Sequence, residues 1–140
     1  MKPVSAELSE SIHAYRQNFK TRLRRRLEAR ERTRRRALQI IQEKAPTIMS
    51  RWQSVRRAYL FGSVTHPGAF HEESDVDIAV EGVTAQEYFA LWRALERALP
   101  DWVIDVRDIT PASPFADLVR KTGVLIYERA NSPATSRNSG

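Results

Sequence analysis

Two aspartates one residue apart, Asp75 and Asp77, open an apolar run (Ile78, Ala79, Val80) with the composition of a buried strand. Side chains alternate along a strand, so both carboxylates project from one face. Like charges that close together are costly unless a cation sits between them. Eleven residues, Val64 to Ser74, separate this pair from Gly62-Ser63, which closes an earlier apolar stretch reaching Phe61. Glycine lets the backbone approach a phosphate, and amide N–H groups with a serine hydroxyl can point at it. Aspartate oxygens are the hard ligands that Mg²⁺ takes. Together these residue types suit a triphosphate gripped at a Gly-Ser turn and neutralised by divalent metal. Two metals about 3.5–4 Å apart in such a site clamp the attacking and leaving oxygens of an in-line displacement.

A third carboxylate on a neighbouring strand would complete the set and receive the proton of an attacking hydroxyl. Asp105 interrupts the apolar stretch Trp102-Val103-Ile104-Asp105-Val106, where it needs a paired cation or a metal to offset its desolvation. Asp108 is the competitor, but odd spacing puts it on the opposite strand face. Asp105 is therefore preferred. His13, His66 and His71 share no metal-ligand spacing. Lys121 and the two histidines of the 64–74 segment read as solvated side chains, and Trp52, Trp92 and Trp102 as packing residues.

These residues need elements to hold them. From Ser5 to Glu43 there is no glycine or proline, and Ile12, Tyr15, Phe19, Leu23 and Leu27 recur at helical spacing. The helix projects from the domain early and docks on it from about Ala37. Pro46 should kink or restart it, because proline removes a donor and clashes with the preceding turn. Strands are expected at Arg56–Phe61, Asp75–Glu81, Trp102–Ile109 and Val124–Tyr127. Thr84-Ala85-Gln86-Glu87 fits a capping box for a helix reaching Leu99. Tyr88, Leu91, Trp92, Leu95 and Leu99 form its buried side. Ser113-Pro114 fits an N-cap with proline at the first helical position, and Gly123 ends that short helix. The fold class is α+β: a small mixed sheet of about four strands flanked by helices, with a long basic N-terminal helix.

The chain has 140 residues, no cysteine and a net charge of +6. That length suits one core. No apolar run approaches the ~20 residues of a membrane span, and no secretory signal is visible. Without cysteine there is no disulfide framework and no thiolate metal site. A cytoplasmic protein is expected. Eleven Lys/Arg and two Glu lie between Arg16 and Arg36, so one segment carries the whole basic excess. The chain divides into a basic helical arm (1–36), a globular domain (37–129) and a small-residue polar tail (130–140) expected to be disordered. Clustered arginine can bind nucleic acid. With no aromatic stacking residue between Arg22 and Arg36, a protein partner or a solvated face is favoured instead. The apolar stripe on the arm suggests a partner or a second copy, hence a homo-oligomer.

Gly62-Ser63, the eleven-residue gap, Asp75-Val76-Asp77 and a later strand aspartate resemble the DNA polymerase β nucleotidyltransferase superfamily. More narrowly, LFGSVTHPGAFHEESDVDIAVEG with VIDVRDI and RKTGVLIYE resembles the minimal nucleotidyltransferases, the MNT antitoxins of HEPN–MNT toxin–antitoxin pairs. The similarity spans roughly Val55 to Glu128. It implies ATP as donor, Mg²⁺ as cofactor and, as acceptor, a tyrosine hydroxyl on a HEPN ribonuclease toxin that adenylylation silences. Carried onto this sequence, Gly62 and Ser63 bind the triphosphate, while Asp75, Asp77 and Asp105 bind metal, Asp105 also serving as general base. Where many relatives continue Gly-Ser with an Ala-Arg-Gly-like stretch, this chain has Val64-Thr65-His66-Pro67-Gly68 and no arginine. Two alternatives stand beside the enzyme: a degenerate antitoxin that inhibits by binding alone, and a small-molecule nucleotidyltransferase of the aminoglycoside kind, which would need a dimer to complete its pocket.

Overall fold

A computed structural model describes residues 4–130. From 131 onward the expected tail lies outside the described residues. Helix α1 (Val4–Met49) is followed by β1 (Arg57–Phe61), a 3-10 turn (Gly62–Thr65) and β2 (Val76–Glu81). Then come α2 (Ala85–Ala98), β3 (Ile104–Asp108), α3 (Pro114–Thr122) and β4 (Val124–Glu128). The four strands form one mixed sheet in the order β3-β2-β1-β4. Strands β2 and β3 are parallel, whereas β1 is antiparallel to both of its neighbours.

Alternation sorts the strand residues onto two faces. Ala58, Leu60, Val76, Ile78, Val80, Ile104 and Val106 form the main core with Ile41, Ile48 and Met49 of α1 and Leu91 and Leu95 of α2. The second face is covered more thinly: Tyr59 and Ala79 pack against Ile109 and against Ala116 and Val119 of α3. Residues 77 and 105 share the parity of Ala79 and belong to this second face. The side chain that closes its far end is Glu81, the one buried charged residue among those described. Arg57 and Arg120 each approach it to 2.8 Å.

Both expected helix starts are present. Thr84 accepts a hydrogen bond from the Glu87 N–H, and Ser113 from the Ala116 N–H with Pro114 in the first turn. Helix α1 departs from expectation at Pro46, where it continues to Met49 without restarting. Proline's fixed φ is helical, but its ring removes one donor and crowds the Gln42 carbonyl, a cost that the packing around it offsets. The turn is retained by the Ser50 N–H bonding to the Pro46 carbonyl, with Ala45, Ile48 and Met49 fully packed around it. The first fully buried side chain of α1 is Ala37. Polar contact with the domain is nevertheless made one turn earlier, where Arg34 donates to the Val64 carbonyl at 3.3 Å.

The strand at 102–109 is shorter than expected. Trp102 is held in the turn after α2 by its N–H to the Leu99 carbonyl, and the strand starts at Ile104. No described helix is long and apolar enough to cross a membrane.

Candidate active site

The site is built at one end of the second sheet face. Strand β1 delivers Phe61 opposite Asp77, and parallel pairing sets Asp77 beside Asp105 in register. Neighbouring strands lie about 4.8 Å apart, so the two carboxylates are obligatory neighbours. Gly62 follows immediately with φ +74°, a conformation that side chains disfavour. A Cβ at Gly62 would lie 2.3 Å from Asp77 Oδ2. Glycine is thus required twice there, once for the turn and once for the approach of the backbone to the carboxylate.

Asp75 lies just outside β2, which begins at Val76 rather than at Asp75 as expected. It is exposed, yet close enough for its charge to act on Asp77. The Asp77 carboxyl is pushed above its usual range by burial first, then by the charges of Asp105 and Asp75. Asp105 is half-buried and meets Arg107 Nε at 3.2 Å. The paired cation that an aspartate in this strand needs is therefore two residues away, on the same face. Asp108, by contrast, accepts from the Thr110 N–H and hydroxyl and serves the turn after β3.

The structure thus brings Asp77, Asp105 and Gly62 into one place, with Ser63 next in the chain and Asp75 at the rim. Among the described residues no group of three or more acidic, histidine or cysteine side chains is placed to hold a metal ion. The arrangement is an open, carboxylate-lined edge. Crowded carboxylates whose mutual repulsion raises a pKa, set against a glycine with no side chain, are a donor set suited to a divalent cation.

Three further groups position this edge, in roles that the sequence does not reveal. Arg34, bonded to Glu31 at 2.6 and 2.9 Å, reaches the carbonyl of Val64 in the 3-10 turn. Its hydrogen bonds, with a smaller contribution from Arg35, hold the Glu31 carboxyl down at about 2. The available signal was spacing, since Arg34 continues the helical face of Ala37, Ile41, Ala45 and Ile48. Helical spacing marks Tyr88 and Trp92 as packing residues alone. In the structure the Tyr88 hydroxyl donates to the Val106 carbonyl and Trp92 Nε1 to the Ile104 carbonyl. They occupy the outer edge of β3 on either side of Asp105. His71 lines an open cleft of about 480 Å³ between α1 and the 71–73 segment, whose lining includes none of Asp75, Asp77 and Asp105.

The polymerase β nucleotidyltransferase domain model matches residues 43–132. The chain belongs to this nucleotidyltransferase family. No curated protein matches it. Among solved structures it is similar to a chain of the complex between tri-AMPylated Shewanella oneidensis HEPN toxin and MNT antitoxin. That match has 22% identity and a TM-score of 0.50, and covers 72% of this chain and 76% of the other. It is also similar to a chain of a toxin–antitoxin crystal structure with AMP-PNP. There the identity is 24% and the TM-score 0.46, with 69% and 74% of the two chains covered. At 22% identity the first of these likenesses shows the fold alone. The matched region of this nucleotidyltransferase holds the whole candidate site and begins after the arginine-rich part of α1.

Proposed function

We propose that this nucleotidyltransferase is an MNT-type antitoxin. It transfers AMP from ATP to a tyrosine hydroxyl of a HEPN ribonuclease toxin and so silences it. The observation that carries this is the in-register pair Asp77–Asp105 beside Gly62, at the edge where the family's Gly-Ser and Asp-x-Asp residues meet. The complex of a tri-AMPylated HEPN toxin with an MNT antitoxin, to which the fold is similar, supports the acceptor.

In the proposed reaction the acceptor oxygen attacks the α-phosphorus of ATP, the bond to the β-phosphate oxygen breaks, and pyrophosphate leaves. Gly62 and Ser63 bind the triphosphate where the chain turns out of β1. Asp75, Asp77 and Asp105 would hold Mg²⁺, which when bound neutralises triphosphate charge and polarises the α-phosphate. Asp105 takes the proton from the attacking hydroxyl, and Arg107, with Nε 3.2 Å from it, orients that carboxylate.

The test is AMP transfer to the purified toxin by wild type, Asp75→Asn and Asp77→Asn. Each substitution is expected to lower the rate by at least about 10²–10³-fold while the fold survives. Undiminished labelling by the double variant would refute the proposal. The binding-only alternative draws on one observation, the ion pair that engages Asp105 with Arg107. It requires Asp77→Asn to leave toxin inhibition intact.

A further inference from the structure

Helix α1 carries an apolar stripe that nothing in the fold uses. Leu8, Ile12, Tyr15, Phe19, Leu23 and Leu27 are all exposed, from 42% at Leu23 to 66% at Tyr15. They follow Val4, which is 81% exposed, and lie on the helix before its docked part. An isolated helix gains nothing from leaving a row of large side chains in water. Two hollows of about 250 and 240 Å³ flank Phe19, one rimmed by Arg16 and Lys20, the other by Arg22 and Arg26.

The stripe is self-complementary when reversed. Spacings of four, four and three residues lead from Val4 to Tyr15, and three spacings of four lead on to Leu27. Laid antiparallel on a second copy with the crossing at Tyr15–Arg16, Val4 meets Leu27, Leu8 meets Leu23, and Ile12 meets Phe19. The charges favour the same arrangement. Residues 4–15 hold Glu7 and Glu10 and no Lys or Arg, whereas residues 16–27 hold six Lys/Arg and no acid. Antiparallel pairing sets each acidic half against a basic half and brings Glu7 opposite Arg24. Parallel pairing would stack the two basic halves on each other.

Sterics agree as well. The seam is ~35 Å long at 1.5 Å per residue. The second copy's domain comes alongside its own helix at residues 26–33, across the cleft from the 71–73 segment, so it meets the first helix only at that helix's N-terminal turn. The two globular parts then lie toward opposite ends of the helix pair.

We propose that this face is the interface of a homodimer in which two α1 helices pack antiparallel through the Leu8–Leu27 stripe. The interface is isologous, as two-fold symmetry requires. It is independent of the nucleotidyl-transfer proposal.

The absence of cysteine makes the test direct. Sedimentation equilibrium of the full chain should give twice the 16.1 kDa protomer mass at micromolar concentration. Ile12→Glu with Phe19→Glu should weaken dimerisation by at least about a hundredfold, with thermal melting showing the domain still folded. Under mild oxidation, Tyr15→Cys should form a symmetric cross-link. Val4→Cys and Leu27→Cys should cross-link when mixed, and neither should do so alone. A monomeric wild-type chain, cross-linking of Val4→Cys or Leu27→Cys each with itself, or association only on adding a HEPN protein would each overturn the proposal.

Discussion

Asp77 stands where the fold pushes hardest against its own charge. Burial and the neighbouring carboxylates of Asp105 and Asp75 raise its pKa. A carboxyl raised in the folded state contributes stability that is present below the ordinary aspartate range and is lost as pH rises through the folded value. At neutral pH the metal-free protein therefore carries an electrostatic penalty at this position. Asp77→Asn is expected to raise the metal-free melting temperature by roughly 2–5 °C and to abolish the further rise that Mg²⁺ gives wild type. A thermal melt with and without MgCl₂ measures both effects. Gly62, Asp77 and Asp105 could be found in the sequence because glycine at a strand end and acids in apolar runs break local rules. Arg107 could not, since an arginine two residues from an aspartate on a half-exposed strand breaks none.

At the scale of elements, the strand that carries Asp105 is an edge strand, and its outer carbonyls would otherwise face water. Helix α2 covers them with the Trp92 indole N–H at 2.9 Å from the Ile104 oxygen and with the Tyr88 hydroxyl on the Val106 oxygen. Trp92→Phe keeps most of the packing and removes one donor. It is expected to cost roughly 1 kcal/mol in denaturant unfolding. Periodicity placed both rings on the buried side of α2, but a donor reaching a strand twelve residues away is a tertiary fact that no local pattern encodes.

Pro46 shows the opposite failure. A local rule predicted a break, and burial of Ala45, Ile48 and Met49 on the flanking turns overrode it. Restoring the missing donor with Pro46→Ala should stabilise the protein by roughly 1–3 kcal/mol, read as a higher denaturation midpoint with an unchanged slope. Helix starts at Ser113 and Thr84 were legible because caps are local chemistry. The start of β3 was not, because the turn after α2 holds Trp102 back.

For the molecule as a whole, a charge clamp on Glu81 ties β1, β2 and α3 together. Burial pushes the Glu81 carboxyl up, but hydrogen bonds from Arg57 and Arg120 outweigh it and hold the group below its usual range. A lowered carboxyl contributes stability that is present above the ordinary glutamate range and is lost as pH falls through the folded value. Glu81→Gln should therefore cost roughly 1–3 kcal/mol at neutral pH and flatten the acid limb of the stability profile. The α+β class and the mixed four-stranded sheet could be read from element order. The clamp joining β1, β2 and α3 could not, because its members lie 24 and 39 residues apart in sequence. The arm was legible as a helix with an apolar stripe and a basic cluster.

The most direct measurement follows the phosphorus. The purified chain is incubated with Mg²⁺, its HEPN-type partner, and ATP labelled at either the α- or the γ-phosphate. Label should pass to a tyrosine of the partner from α-labelled ATP only, and should disappear with Asp77→Asn and with Asp105→Asn. Transfer from γ-labelled ATP, or undiminished transfer by the Asp77→Asn chain, would contradict nucleotidyl transfer at the Asp77–Asp105 edge.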